Sequence, residues 1–149
     1  MVSRRFVFAF GLLVSILLVA NGLRAQQCSN KMTAGRYLVI CDGYMQPAPN
    51  APLLPAKGLS VATSDRYGNI NGAGTVNLGA MVVQQTVSGT QTPQPDCTGT
   101  VTYNQTINGN PGPPIDITFV VSQHGDRING LVTDPGAVFA CELTRISEK

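Results

Sequence analysis

The sequence predicts an all-β protein, an eight-stranded antiparallel up-and-down β-barrel that follows an N-terminal signal peptide. Three observations carry this expectation. Beyond residue 25 the chain is rich in Thr, Val, Gly, Asn and Gln and poor in Leu, Glu and Lys, a composition that suits pleated, half-buried surfaces. The same part divides into eight short β-like runs with turn residues between them. Its cysteines, Cys28, Cys41, Cys97 and Cys141, form an even set, the pattern of a disulfide framework in an exported chain.

The N-terminus supplies the export signal. Arg4 and Arg5 precede an apolar run at 6–20, broken within only by Gly11 and Ser15. Asn21 and Gly22 end the run, and Ala25 places a small residue before Gln26. That basic, apolar, small-residue order is that of a secretory signal, and the run is shorter than the ~20 residues a spanning helix needs. The chain therefore divides into a signal peptide at 1–25 and one β-barrel domain at 26–149, secreted or periplasmic. Removing the signal leaves seven basic residues against eight acids, a formal charge of −1. No basic patch remains, so neither nucleic acid nor an anionic membrane is an expected partner after cleavage.

The first strand is expected at 35–45, containing Tyr37, Leu38, Val39 and Ile40. A loop follows with Pro47, Pro49, Pro52 and Pro55, and the second strand runs over 58–64. The turn at 65–69 leads to a third strand at 70–78, where Gly72 and Gly74 suit a sharply bent strand. The fourth begins near 80 and runs towards 92; the fifth covers 97–107 after a turn at 93–96. A second loop at 108–114 holds three prolines and two glycines. The last three strands fall at 115–122, 127–133 and 137–145, parted by turns at 123–126 and at Asp134-Pro135-Gly136.

Alternation gives each strand one wet and one buried face. Ile115, Ile117, Phe119 and Val121 share a face against Asp116, Thr118 and Ser122. Phe139, Cys141 and Leu143 oppose Ala140, Glu142 and Thr144, and Val101, Tyr103 and Ile107 oppose Thr98, Thr100, Thr102 and Asn104. Closing the sheet into a barrel removes its exposed edges. Hairpin loops then alternate between two ends, which places both long proline-rich loops, 46–58 and 108–114, at one end. A loop-rich mouth above a tight floor is the shape of a ligand-holding barrel; tolerated loop insertion explains the same lengths.

The same topology chooses among the three possible cysteine pairings. Cys28 and Cys97 both fall at the floor end, and Cys41 and Cys141 lie on the first and last strands, neighbours once the barrel closes. The expected bonds are Cys28–Cys97 and Cys41–Cys141, each worth roughly 2–4 kcal/mol. Zinc is a poorer reading, because no two cysteines are close in sequence and His124 is the only histidine. No metal and no cofactor are expected.

Four segments in order carry a resemblance: Cys28-Ser29-Asn30 with Gly35-Arg36-Tyr37, the stretch Gly68 to Val76, Asp96-Cys97-Thr98-Gly99-Thr100, and Thr133-Asp134-Pro135-Gly136. Together they resemble a group of small exported bacterial β-barrel-like proteins with no assigned activity. In that group the first and third cysteines occur together, which agrees with Cys28–Cys97. A looser likeness is to lipocalin- and avidin-type barrels. Gly35-Arg36-Tyr37 sits where a lipocalin has glycine, any residue, tryptophan, and Arg145 sits where such barrels place an arginine over that ring. A Tyr37–Arg145 contact of about 0.5–2 kcal/mol is implied. The chain has no tryptophan, which departs from the fingerprint and speaks against biotin.

No catalytic constellation stands out. His124 lies in a polar turn with no nucleophile-elbow motif nearby. Most acids fall in turns (Asp65, Asp96, Asp126, Asp134), while Asp116 and Glu142 fall on outward faces, which suits solvation better than paired acid–base work. The barrel interior is the candidate site. Met81, Val83, Gln85, Val101, Tyr103, Ile117, Phe119, Phe139 and Leu143 are the expected lining, with Leu38 or Val39, Val61 and Val121 beside them. Leu53 and Leu54, in the first long loop, are candidates for a lid. A filled core accounts for the same lining residues without a ligand. The expected function is binding of a small apolar or amphipathic molecule. A non-catalytic envelope or matrix interaction module is the alternative, and a barrel enzyme of the allene-oxide-cyclase type a third reading.

Overall fold

The structure, a computed structural model, describes residues 27–48 and 50–147. The expected signal peptide lies outside them. One short helical turn, α1 (Asn30–Thr33), precedes the strands β1 (Gly35–Met45), β2 (Leu54–Ser64), β3 (Asn69–Leu78), β4 (Met81–Gln91) and β5 (Thr98–Ile107). Then come β6 (Asn110–Pro111), β7 (Ile115–Val121), β8 (Arg127–Val132) and β9 (Ala137–Ser147). Among the described residues, no helix is long and apolar enough to cross a membrane.

Eight strands form a closed antiparallel up-and-down barrel in the order β1-β2-β3-β4-β5-β7-β8-β9, with β9 pairing back onto β1. The two-residue β6 is an addition: residues 108–114 were expected as plain loop, but Asn110 and Pro111 fold back onto Ile107 and Thr106. The second strand also starts earlier than expected. Pro55 suggested a loop, since proline cannot donate to a ladder. It sits instead at the strand end, opposite Tyr44 and outside the β2–β3 ladder, which begins at Ala56.

Closure follows from the cysteine seam. Cys41 and Cys141 are register partners between β1 and β9, with Cα atoms 4.0 Å apart and the disulfide formed. The second disulfide, Cys28–Cys97, joins the segment before β1 to the turn before β5, Cα to Cα 5.0 Å. Such bonds persist in an extracellular or otherwise oxidising compartment. A bulge after Arg36 shifts the β1–β9 register, so that Tyr37 pairs with Arg145.

The turns 65–68, 92–97 and 122–126 gather at one end, the floor. Residues 28–34 cross beneath all three. The Cys28 amide donates to Pro95 O at 3.5 Å. A side chain at Gly68 would collide with the Asn30 amide. Arg145 Nη2 donates to Met32 O and, at 2.9 Å, to Gly125 O. Gly125 has φ +67 and passes so near Met32 O that an added Cβ would lie 2.3 Å from it, so glycine is required there on both counts.

Above this segment the barrel is filled. Tyr37, Ile70, Val101, Phe119, Val121 and Ile128 form a buried cluster with Cys28. A buried polar group sits among them: Gln91 Nε2 donates to Thr33 Oγ1 at 2.9 Å and to Ser64 Oγ at 3.2 Å. The Tyr37 hydroxyl lies 2.8 Å from Gly125 O and 3.0 Å from Thr33 O. It also accepts from Arg145 Nη2 at 3.0 Å, and the guanidinium lies 5.5 Å from the ring centroid, so the expected contact is present. Burial raises the Tyr37 pKa, opposed by the Arg145 hydrogen bond.

Each floor turn is also held by an aspartate. Asp65 accepts from the amides of Tyr67 and Asn69 at 2.8 and 2.9 Å and from the Asn69 side chain. Asp96 accepts from Thr98 N and Oγ1, and Asp126 accepts from Ser122 Oγ. Hydrogen bonds to the charged form hold all three carboxyls below their ordinary pKa, the leading donors being Asn69, Thr98 and Ser122.

Candidate functional site

The other half of the barrel holds a smaller buried cluster, Ala56, Val132 and Phe139, and leaves open space beside it. A cavity of about 410 Å³ opens among the residues at the long-loop end, within the size range of small-molecule pockets. Its cause is readable in β2 and β3. The inward positions of β2 are Ala56, Gly58, Ser60, Ala62 and Ser64, all small, and β3 adds Gly72 and Gly74. Period two sends this small-residue set to one face. Eight strands leave room that large side chains just fill; here two neighbouring strands withhold that volume.

The expected lining is largely in place. Met81 and Val83 on β4, Ile117 on β7, and Phe139 and Leu143 on β9 border the cavity, as do Gln85 and Tyr103. Met81 is 50% exposed and stands at the rim. Two expected lining residues do not belong to it. Val101 and Phe119 are 5% and 3% exposed in the floor cluster. The Phe119 ring lies against Gly99, where a Cβ would come within 2.4 Å of Cζ. Both point inward as expected, but at a level where the barrel is full. Val61, also expected inside, lies on the outer face, because its neighbours Ser60 and Ala62 point in.

The expected lid is not over the mouth. Leu53 is 49% exposed, and Leu54 opens β2, where it pairs with Met45 and contacts Gly79. Neither lines the cavity; the long loops contribute Gln46, Pro47 and Pro113 instead. Gln46 is fixed by donating from its Nε2 to Ala51 O at 2.9 Å and from its backbone N–H to Gly136 O at 2.9 Å. Sequence reasoning missed Gln46, Pro47, Gln105, Pro113 and the small face of β2. The alternation Ala56-x-Gly58-x-Ser60-x-Ala62 was the signal available for the last.

The cavity wall is apolar with a short polar stretch. Among the described residues, no Asp, Glu, Lys, Arg or His lines it. Gln85 Nε2 donates to Gln105 Oε1 at 2.6 Å, and Gln105 Nε2 donates to Pro113 O at 2.8 Å. Tyr103 sits beside them, and burial alone pushes its pKa up to about 12. The Cys41–Cys141 disulfide forms part of the opposite wall.

Nothing here assembles nucleophile, base and orienter. His124 is exposed in a floor turn, where Ser122 donates to Asp126 rather than to the imidazole. Among the described residues no cluster of His, Cys, Asp or Glu is arranged to hold a metal ion. Comparison of the chain with family models, with curated proteins and with solved structures finds no match.

Proposed function

We propose that this chain is an exported barrel that carries one small apolar or amphipathic molecule in its cavity, without chemistry on it. The observation that supports this most is a cavity of about 410 Å³ whose wall is uncharged and mostly apolar. A void of that kind left empty forgoes the packing that stabilises the other half, so its retention is best explained by an occupant. Secretion or periplasmic residence fits the two disulfides. The interaction-module reading draws on the outer face, where Ile40 and Leu59 pair across β1 and β2 with exposures of 46% and 59%.

Native mass spectrometry of the protein purified from its own host separates these readings. Carriage predicts a bound small molecule that disappears in Val83→Trp, whose indole fills the cavity. A wild-type protein free of any bound mass, or a mass retained unchanged in Val83→Trp, overturns carriage in the cavity.

A further inference from the structure

We infer that the cavity selects an uncharged ligand bearing a hydrogen-bond acceptor, which the Tyr103 hydroxyl holds against the β4–β5 wall. This rests on the carriage reading and narrows it to a class: neutral oxygenated molecules with an alkyl or aryl body, such as ketones, esters or ethers.

Gln85 on β4 and Tyr103 and Gln105 on β5 are inward residues of two adjacent strands, joined by the register Gln85↔Ile107 and Gly89↔Tyr103. In the ring of eight, β4 and β5 stand opposite β9 and β1. The facing wall is Val39, Cys41, Phe139, Cys141 and Leu143, with no ionisable side chain. A ligand therefore meets a polar strip on one side and apolar surface on the other.

The strip is organised before any ligand arrives. Gln105 is committed at both ends, to Gln85 and to Pro113 O, so its amide is fixed. The Tyr103 ring lies against Gly89, where a Cβ would approach Cδ1 to 3.0 Å. That glycine gives the ring its seat on the wall. The Tyr103 hydroxyl, by contrast, makes no hydrogen bond to any described residue, and the half-buried side chain borders the cavity. The hydroxyl is not sealed off from the cavity, so it is an unengaged donor presented to whatever occupies that space. With the phenol protonated across the physiological range, it presents a donor and calls for an acceptor.

The charge of the ligand follows from the lining. A carboxylate or ammonium taken into this wall would lose its hydration and find no counter-ion. A carbonyl or ether oxygen loses much less and is matched by one phenol. The rim agrees, since Met45, Leu78, Met81 and Pro113 carry no charge to attract an ion.

Three probes test this by calorimetry on the disulfide-intact protein at neutral pH: 2-decanone, decanoate and butylbenzene. The expected order is 2-decanone well above decanoate, with butylbenzene bound through the apolar wall alone. Tyr103→Phe keeps the ring and removes the hydroxyl. It should weaken 2-decanone about five- to tenfold and leave butylbenzene unchanged. Equal ketone affinity in wild type and Tyr103→Phe overturns the inference while leaving carriage intact, as does decanoate binding tighter than the ketone. Failure of all three probes, butylbenzene included, overturns the inference together with the carriage reading it rests on.

Discussion

The floor and mouth of this barrel are built from the same strands, yet they spend their inward positions in opposite ways. At the floor, Tyr37, Phe119, Val121 and Ile128 interdigitate over a polar group of Thr33, Ser64 and Gln91. At the mouth, Ser60 and Ala62 on β2 face a cavity, while Ala56 and Gly58 lie under Phe139 and its neighbours. The floor turns are tied by aspartates and by the segment 28–34, whereas the mouth loops are longer and proline-rich. The two halves thus differ in how their interiors are filled. The floor is packed throughout, whereas the mouth half combines a small buried cluster with a cavity.

The sharpest way to break that comparison is a matched pair of truncations. Phe119→Ala, in the full half, should cost about 3–5 kcal/mol. Val83→Ala, on the cavity wall, should cost about 1 kcal/mol or less, because its side chain faces space. Urea denaturation of both variants reads the difference, and equal losses would mean that the halves are packed alike.

A smaller effect is expected from the floor staple. Replacing Cys28 and Cys97 together by Ala should lower stability by about 2–4 kcal/mol. Hydrogen exchange should show the loosening at the turn 92–97 and the segment 28–34, with the mouth loops unchanged. A uniform rise in exchange would instead make the bond a global constraint.

The smallest effect concerns acid. Asp65, Asp96 and Asp126 have pKa values below their unfolded ones, so their ionised forms favour the folded turns. That contribution is complete above about pH 4 and is lost as pH falls through the lowered folded values. Amides of the three floor turns should therefore gain exchange first on acidification, ahead of the loop at 108–114. Each carboxylate is solvent-exposed, so the effect on stability is small; loss of protection at the mouth before the floor would contradict it.

How legible all this was depends on what each signal measures. β1 falls at 35–45 as alternation and the flanking Gly and Pro residues implied, and both disulfides follow from strand order. Alternation reports which way a side chain points and nothing about its height. Val101 and Phe119 were therefore indistinguishable in sequence from Tyr103 and Ile117, although they lie below the cavity. Height is set by strand offset and by what fills each level, such as Phe119 lying on Gly99. Leu54 was misplaced because Pro55 reads as loop, while the ladder tolerates it at the strand end. The small face of β2 was missed because an alternation of Ala, Gly and Ser looks weak beside one of Ile and Phe, though it marks inner volume just as clearly.

The segment at 28–34 precedes every strand, yet its seat is assembled from turns and strands along the rest of the barrel. Its partners are the turn ending at Gly68, the turn holding Cys97, Gly125, and finally Arg145 on the last strand. Synthesis delivers the piece long before it delivers the place. Contacts over such separations form slowly, so the last of them, from Arg145 to Met32 O, waits for β9 to pair. The Cys28–Cys97 bond needs the chain only as far as residue 97, whereas the seat around Met32 is complete only once Arg145 is in place.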